Sequence, residues 1–258
     1  MALFHTHYFS QALNMETGIE IIMPNPTLDP QRDAKPIKML YLLHGLSDDE
    51  TAWTRYTSIE RYARERGIAV VMPTTYRFWY ADSLCGKYYT YIADELPRVM
   101  RYFFPHLSDR REDTMIAGLS MGGYGAWRIA LSRPDLFGGA ASLSGALLRG
   151  SCEITSEMSC HTVFGEHPKG GENDVQYLMT QAQKKGGPLP DLYHWCGTED
   201  FLFEDNCQMQ TFAEQAGYPS LEWRKSAGNH EWKYWDEQIC PAIDWMLECA
   251  EDRKETER

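Results

Sequence analysis

Uninterrupted apolar runs dictate most of what this chain can become. Residues 37–43 (IKMLYLL) and 68–72 (IAVVM) do not alternate polar with apolar, and residues 114–118 and 139–143 read the same way. As strands they must be covered on both faces, which is the habit of parallel sheets lying between layers of helices. Helix-period segments fall between and after them. They cover residues 57–66, ending at Gly67, and 91–104, with Pro97 as a kink or in the first turn. Others cover 122–132, stopped before Pro134, then 203–216, capped by Gly217, and 231–251. Strands at 191–196 and 221–226 complete the alternation, and two opening strands, at 3–13 and 18–23, precede it. Strand–helix alternation implies right-handed crossovers and a mostly parallel central sheet with helices on both faces, an α/β fold. One domain over residues 1–258 is expected. Residues 25–36, with three prolines, read as a loop, and 76–91, dense in aromatics, as a loop over a site. Residues 149–190 form the least regular stretch and are read as an insertion or cap segment.

A chain of 258 residues suits one large α/β domain. Its 25 basic and 37 acidic residues give a formal charge of −12, with no basic run. Such a surface repels phosphate backbones and anionic membranes, so neither nucleic acid nor membrane is expected as a partner. No apolar run approaches the ~20 residues needed to span a bilayer. Residues 1–10 lack the basic start and long apolar core of a signal peptide. The seven cysteines are odd in number and include no CxxC pair, so a cytoplasmic protein with reduced thiols is expected. Cys152 and Cys160 lie near His161 and His167 but match no zinc spacing. No metal and no cofactor is expected.

In sheets of this kind ligands bind outside the carboxyl ends of the strands. There, after residues 114–118, stands Gly118-Leu119-Ser120-Met121-Gly122, followed by Gly123 and a helix. This is G-x-S-x-G between strand and helix, the pattern that lifts a serine oxygen out of a sharp turn in the α/β-hydrolase fold. Serine is a weak nucleophile and needs a base, which in this fold comes last in the chain, after an acid. Of the eight histidines only His194 and His230 follow the irregular stretch. His194 lies inside a strand, whereas His230 follows the last one, on a loop before a helix. His230 is therefore read as the base. Asp200, just past residues 191–196, is read as the acid, with Glu199 and Asp205 as rivals. The oxyanion donors of this fold are backbone amides, one after the nucleophile and one after an earlier strand; these are Met121 and Leu46. His44 is read as shaping that second loop.

With these residues assigned, the chain resembles the esterase D and S-formylglutathione hydrolase family, in particular its bacterial tributyrin/acetyl esterase branch. The likeness is carried by LLHGLSDDETAW, FWYADSLCGKYYTYIADELP, IAGLSMGGYGAW, SLSGAL, GTEDFLFEDN and GNHEW. It implies a serine carboxylesterase acting on small-molecule esters with short acyl chains. It also implies Ser120, Asp200 and His230 as the triad, and Leu46 and Met121 as oxyanion donors. Some relatives act on feruloyl esters and others on S-formylglutathione, so a thioesterase, or an acyltransferase on the same fold, is the alternative. Related esterases often self-associate, which raises a homo-oligomer. Ser144-Gly145 fits the family as a tight strand end. Trp53, Trp79 and Tyr80 are assigned to an acyl or alcohol pocket, with core packing as the competing reading.

Overall fold

The computed structural model describes residues 1–26, 35–151 and 162–256. Its strands are β1 (Ala2–Ser10), β2 (Met15–Met23), β3 (Met39–Leu43), β4 (Ala69–Pro73), β5 (Asp82–Ser83), β6 (Gly86–Lys87), β7 (Thr114–Leu119), β8 (Gly139–Leu143), β9 (Asp191–Gly197) and β10 (Leu221–Ser226). The helices are α1 (Ala52–Tyr56), α2 (Ile59–Arg66), α3 (Leu96–Phe103), α4 (Met121–Ser132), α5 (Val175–Lys185), α6 (Phe203–Gln215) and α7 (Trp232–Thr256). Eight strands make one sheet in the order β1-β2-β4-β3-β7-β8-β9-β10, while β5 and β6 form a separate hairpin. Neighbours from β4 to β10 are parallel; β1 and β2 run antiparallel at one edge. This is the mostly parallel α/β-hydrolase sheet that the sequence pattern implies.

The apolar runs are buried on both faces, as their composition requires. In β3, Met39, Tyr41 and Leu43 join the core beneath α3, α4, α5 and α6. Leu40 and Leu42, pointing the other way, join the core beneath α1, α2 and α7. The chain lays β4 on one side of β3 and later returns to lay β7 on the other. The strand order reverses there, so the carboxyl ends of β3 and β7 flank a crevice where two loops diverge.

Three of the differences from the sequence reading have a visible local cause. β1 ends at Ser10, short of residue 13, because the buried Glu95 carboxylate accepts the Gln11 and Ala12 amides and the Ser10 hydroxyl, which ties down a turn. The helix expected over 91–104 starts earlier, with a short helical segment Tyr88–Thr90, and passes through a π-helical turn, Tyr91–Glu95, before α3. Pro97 stands in the first turn of α3; it has no N–H to donate, and the wider turn relieves its ring against the preceding backbone. Within 149–190, expected to be irregular, α5 is a regular helix. It crosses from β8 to β9 and buries Val175, Met179 and Ala182 in the core. Residues 27–34, within the expected proline loop, and Cys152, Cys160 and His161 lie outside the described residues.

Candidate active site

Ser120 stands between β7 and α4 with φ 52° and ψ −115°, a conformation that side chains rarely adopt. Its amide donates to Leu143 O (2.9 Å), and its carbonyl accepts from Tyr124 (3.1 Å) and Ala146 (3.1 Å). The turn is closed by a near-contact that only glycine permits. A Cβ on Gly122 would lie 2.5 Å from Leu43 O and 2.6 Å from His44 O. The same closeness brings the loop after β3, with Leu46, against the start of α4. Met121 is the first residue of α4, and its N–H is among the amides that a helix start leaves without an intrahelical partner. The positive end of the helix lies beside Ser120.

Ser120, His230 and Asp200, 110 residues apart at the extremes, form one hydrogen-bonded line. His230 Nε2 is 3.0 Å from Ser120 Oγ. His230 Nδ1 is 2.9 Å from Asp200 Oδ2 and 3.1 Å from Oδ1. A carboxylate only accepts, so Nδ1 carries the hydrogen and the Nε2 lone pair faces the serine hydroxyl. The Asp200 side chain has no exposed surface. Burial is the largest influence on its carboxyl and acts to raise its pKa. The hydrogen bonds from His230 and from the Leu202 amide (2.8 Å) outweigh burial together and hold the group below the ordinary carboxylate range. The rival acids point elsewhere. Glu199 accepts the Gly228 amide and the Thr198 hydroxyl, fastening the loop that carries His230. Asp205 lies on α6, within the field of Arg149.

His44 shapes its loop, as read from the sequence. Its Nδ1 donates to Gly45 O (2.7 Å) and its Nε2 accepts the Thr75 amide (3.0 Å). Complete burial pushes its pKa down to about 4, so the ring is neutral. The three aromatics assigned to a pocket are set behind the site instead. Trp53 and Tyr80 have no exposed surface, and Trp79 is only 3 % exposed. Trp53 donates its indole N–H to Leu43 O, and Tyr80 its hydroxyl to His44 O, so both brace the loop after β3. Trp79 packs against Tyr124 and Phe164. Among so many aromatics the sequence could not separate core from pocket. It also passed over two rings that bracket His230. Trp235 meets its imidazole edge-on at 4.9 Å, and Phe201, 74 % exposed, lies at 4.5 Å on the open side. The position of Phe201, directly after Asp200, was the available signal.

Comparison with known proteins gives this arrangement a family. The sequence model of the family described as "Putative esterase" matches residues 10–246. The chain belongs to that esterase family. A fluorophosphonate-binding serine hydrolase F of Staphylococcus aureus, solved with substrate bound, is 37% identical to this esterase. It superposes with a TM-score of 0.87 over 95% of this chain and 98% of that one. The S-formylglutathione hydrolase FrmB of the same organism is 36% identical, with a TM-score of 0.85 over 95% and 98%. An acetyl esterase of Caldicellulosiruptor saccharolyticus is 29% identical over 97% of this chain and 100% of its own. The esterase is thus of the esterase D and S-formylglutathione hydrolase kind, a serine hydrolase of carboxylic esters. Among the described residues no group of three or more His, Cys, Asp or Glu is placed to hold a metal ion. No helix among them is long and apolar enough to cross a membrane.

Proposed function

We propose that the esterase cleaves short-chain acyl esters, acetyl to butyryl, through an acyl-enzyme on Ser120. His230 takes the serine proton as the oxygen attacks the ester carbonyl. Asp200 holds the imidazole in the required tautomer and stabilises its charged form. The Leu46 and Met121 amides receive the oxyanion. Protonated His230 then gives its proton to the leaving alcohol, and a water deprotonated by His230 releases the acid. Nothing in this cycle calls for a metal or cofactor. The observation that carries the reading is the line Asp200–His230–Ser120, with the serine held in a strained turn at a helix start. The acetyl esterase relative supports the short acyl range.

The second reading keeps the chemistry and replaces the ester by a thioester. It is favoured by the 36% identity to the S-formylglutathione hydrolase of Staphylococcus aureus. We also propose that the described part of 149–190 outside α5 covers the bound acyl group and sets the acyl-length limit.

The test is turnover of p-nitrophenyl acetate, butyrate and octanoate, and of a feruloyl ester and S-formylglutathione, with Ser120→Ala beside the wild type. Acetate and butyrate are expected to be cleaved faster than octanoate, and the variant to lose on the order of 10⁶ in turnover. Faster turnover of S-formylglutathione than of any ester would favour the second reading. An active Ser120→Ala would overturn both.

A further inference from the structure

The two rings that bracket His230 contribute unequally to the fold. Trp235 is 4 % exposed and belongs to the core on its side of the imidazole. Phe201 is 74 % exposed, with its ring centroid 4.5 Å from that of the imidazole and the two planes 47° apart. A ring left so open gains little from the hydrophobic effect. Its backbone is nevertheless fixed, in the turn between β9 and α6. The Asp200 amide donates to Gly197 O at 3.1 Å, the Leu202 amide to Asp200 Oδ1 at 2.8 Å and the Phe203 amide to Asp200 O at 2.9 Å. Leu202 goes into the core, 4 % exposed. The turn that seats Asp200 thus holds the next side chain out in solvent, against His230.

In the cycle proposed above, one half of the substrate must pass this ring. His230 Nε2 is 3.0 Å from Ser120 Oγ. The leaving atom is bonded to the same acyl carbon as Oγ and must come within hydrogen-bond reach of Nε2 to be protonated. When the tetrahedral intermediate collapses, the bond from that carbon to the leaving atom breaks. Its electron pair stays on the leaving atom, which takes the Nε2 proton. The substituent on the leaving atom therefore extends away from the acyl carbon beside the imidazole. Trp235 closes one side of His230, and Phe201 floors the open one. We infer that Phe201 is a specificity-determining residue whose face receives the leaving alcohol or thiol and favours aromatic and apolar ones. The inference rests on the catalytic assignment proposed above and adds which half of the ester is read. Contact with another ring or an apolar chain is what this side chain offers, since it carries no donor or acceptor for hydrogen bonds.

The test compares esters that share an acyl group. Benzyl and ethyl acetate form the same acetyl-enzyme and release alcohols of similar acidity. The ratio of their kcat/KM values therefore reports how the leaving substituent is held during acylation. Phe201→Ala is expected to lower the benzyl-to-ethyl ratio about tenfold, the upper scale of an aromatic pair. Phe201→Tyr keeps the ring and should restore most of the ratio. The ratio between p-nitrophenyl acetate and butyrate, which differ only in the acyl chain, should not move in either variant. If the thioester reading holds, the first ratio is taken on S-benzyl and S-ethyl thioacetate. The exposure of Phe201 means that Phe201→Ala should fold, and its melting temperature checks this. A benzyl-to-ethyl ratio that Phe201→Ala leaves unchanged would overturn the inference. That holds whether both rates persist or fall together, as loss of a mere shield over His230 would make them. A shift in the acetate-to-butyrate ratio would also overturn it, by giving Phe201 to the acyl side. An active Ser120→Ala or His230→Ala would remove the catalytic assignment itself. Inactivity of both beside an unmoved ratio in Phe201→Ala would remove only the role of Phe201.

Discussion

At the scale of single residues, strain gathers at the carboxyl ends of the central strands, around the candidate site. Ser47, Ser120 and Ser144 all have positive φ, and each follows one of three adjacent central strands, β3, β7 and β8. Side chains in such conformations cost on the order of 1–3 kcal/mol each and persist where surrounding structure over-determines them. Here they turn the chain sharply at the carboxyl ends of the sheet, which brings the loop that carries Leu46 beside Ser120. The acid is the assignment most open to test at this scale. Asp200 is buried against His230, whereas Asp205 sits on α6 within the field of Arg149. Asp200→Asn is expected to lower kcat by roughly 10⁴, because the amide can hold the wrong imidazole tautomer. Asp205→Asn should leave steady-state turnover near the wild-type value. The reverse ranking in the same assay would move the acid to α6. Ser120, Asp200 and His230 were legible as candidates in the sequence because each stands at a strand end, marked by glycine, in a fixed chain order. The contact between Trp235 and Ser144 was not, since it is a hydrogen bond across 91 residues.

At the scale of elements, the legible parts were those whose apolar pattern has a single solution. β3 and β4 read as doubly buried runs and are so. α5 was hidden because only one stripe of it, Val175, Met179 and Ala182, is apolar and buried, amid Gln and Lys. What starts that helix is Asp174. Its carboxylate accepts the Gln176 amide at 3.0 Å, the Tyr177 amide at 3.3 Å and, from the preceding turn, the Gly170 amide at 2.9 Å. The residue before it is bound to α4: Tyr124 donates to Asn173 O, and the buried Arg128 donates to Asn173 Oδ1. The cap therefore fastens the crossover helix to the helix that begins at Ser120. Asp174→Ala is expected to cost about 1–2 kcal/mol. In a chain of this size that is a fall in melting temperature of several degrees, at about 2–4 °C per kcal/mol. Thermal unfolding checks it, and an unchanged melting temperature would mean that α5 is held by its apolar stripe alone.

At the scale of the whole molecule, the same burial that builds the site sets the response to acid. His44 and His194 are both fully enclosed, and burial pushes the pKa of each down to about 4. His194 is flanked by Trp223 at 4.2 Å and Trp127 at 5.1 Å, with Nε2 2.9 Å from Gln210 Oε1. In the unfolded chain both rings regain an ordinary pKa of about 6.5. Between these values the unfolded state binds protons that the folded state refuses, so stability falls as the pH drops from about 6.5 to about 4. At about 1.4 kcal/mol per pKa unit and per ring, the two histidines together withdraw several kcal/mol, a large part of a typical domain's stability. Asp200 acts in the same direction at lower pH. Its folded pKa is depressed, so its contribution is present above the ordinary carboxylate value and is lost as the pH falls through the depressed one. His44 cannot be replaced without disturbing the loop that carries Leu46, but His194 stands clear of the hydrogen-bonded line. His194→Gln should be less stable than the wild type at pH 7, where a well-packed ring has been lost. Between pH 6.5 and 4.5, however, its unfolding free energy in urea should fall less steeply, by up to about one proton's worth of slope. If variant and wild type give parallel curves across that range, His194 takes up its proton in the folded state as readily as in the unfolded one. The acid sensitivity would then have to come from His44 and the carboxylates alone.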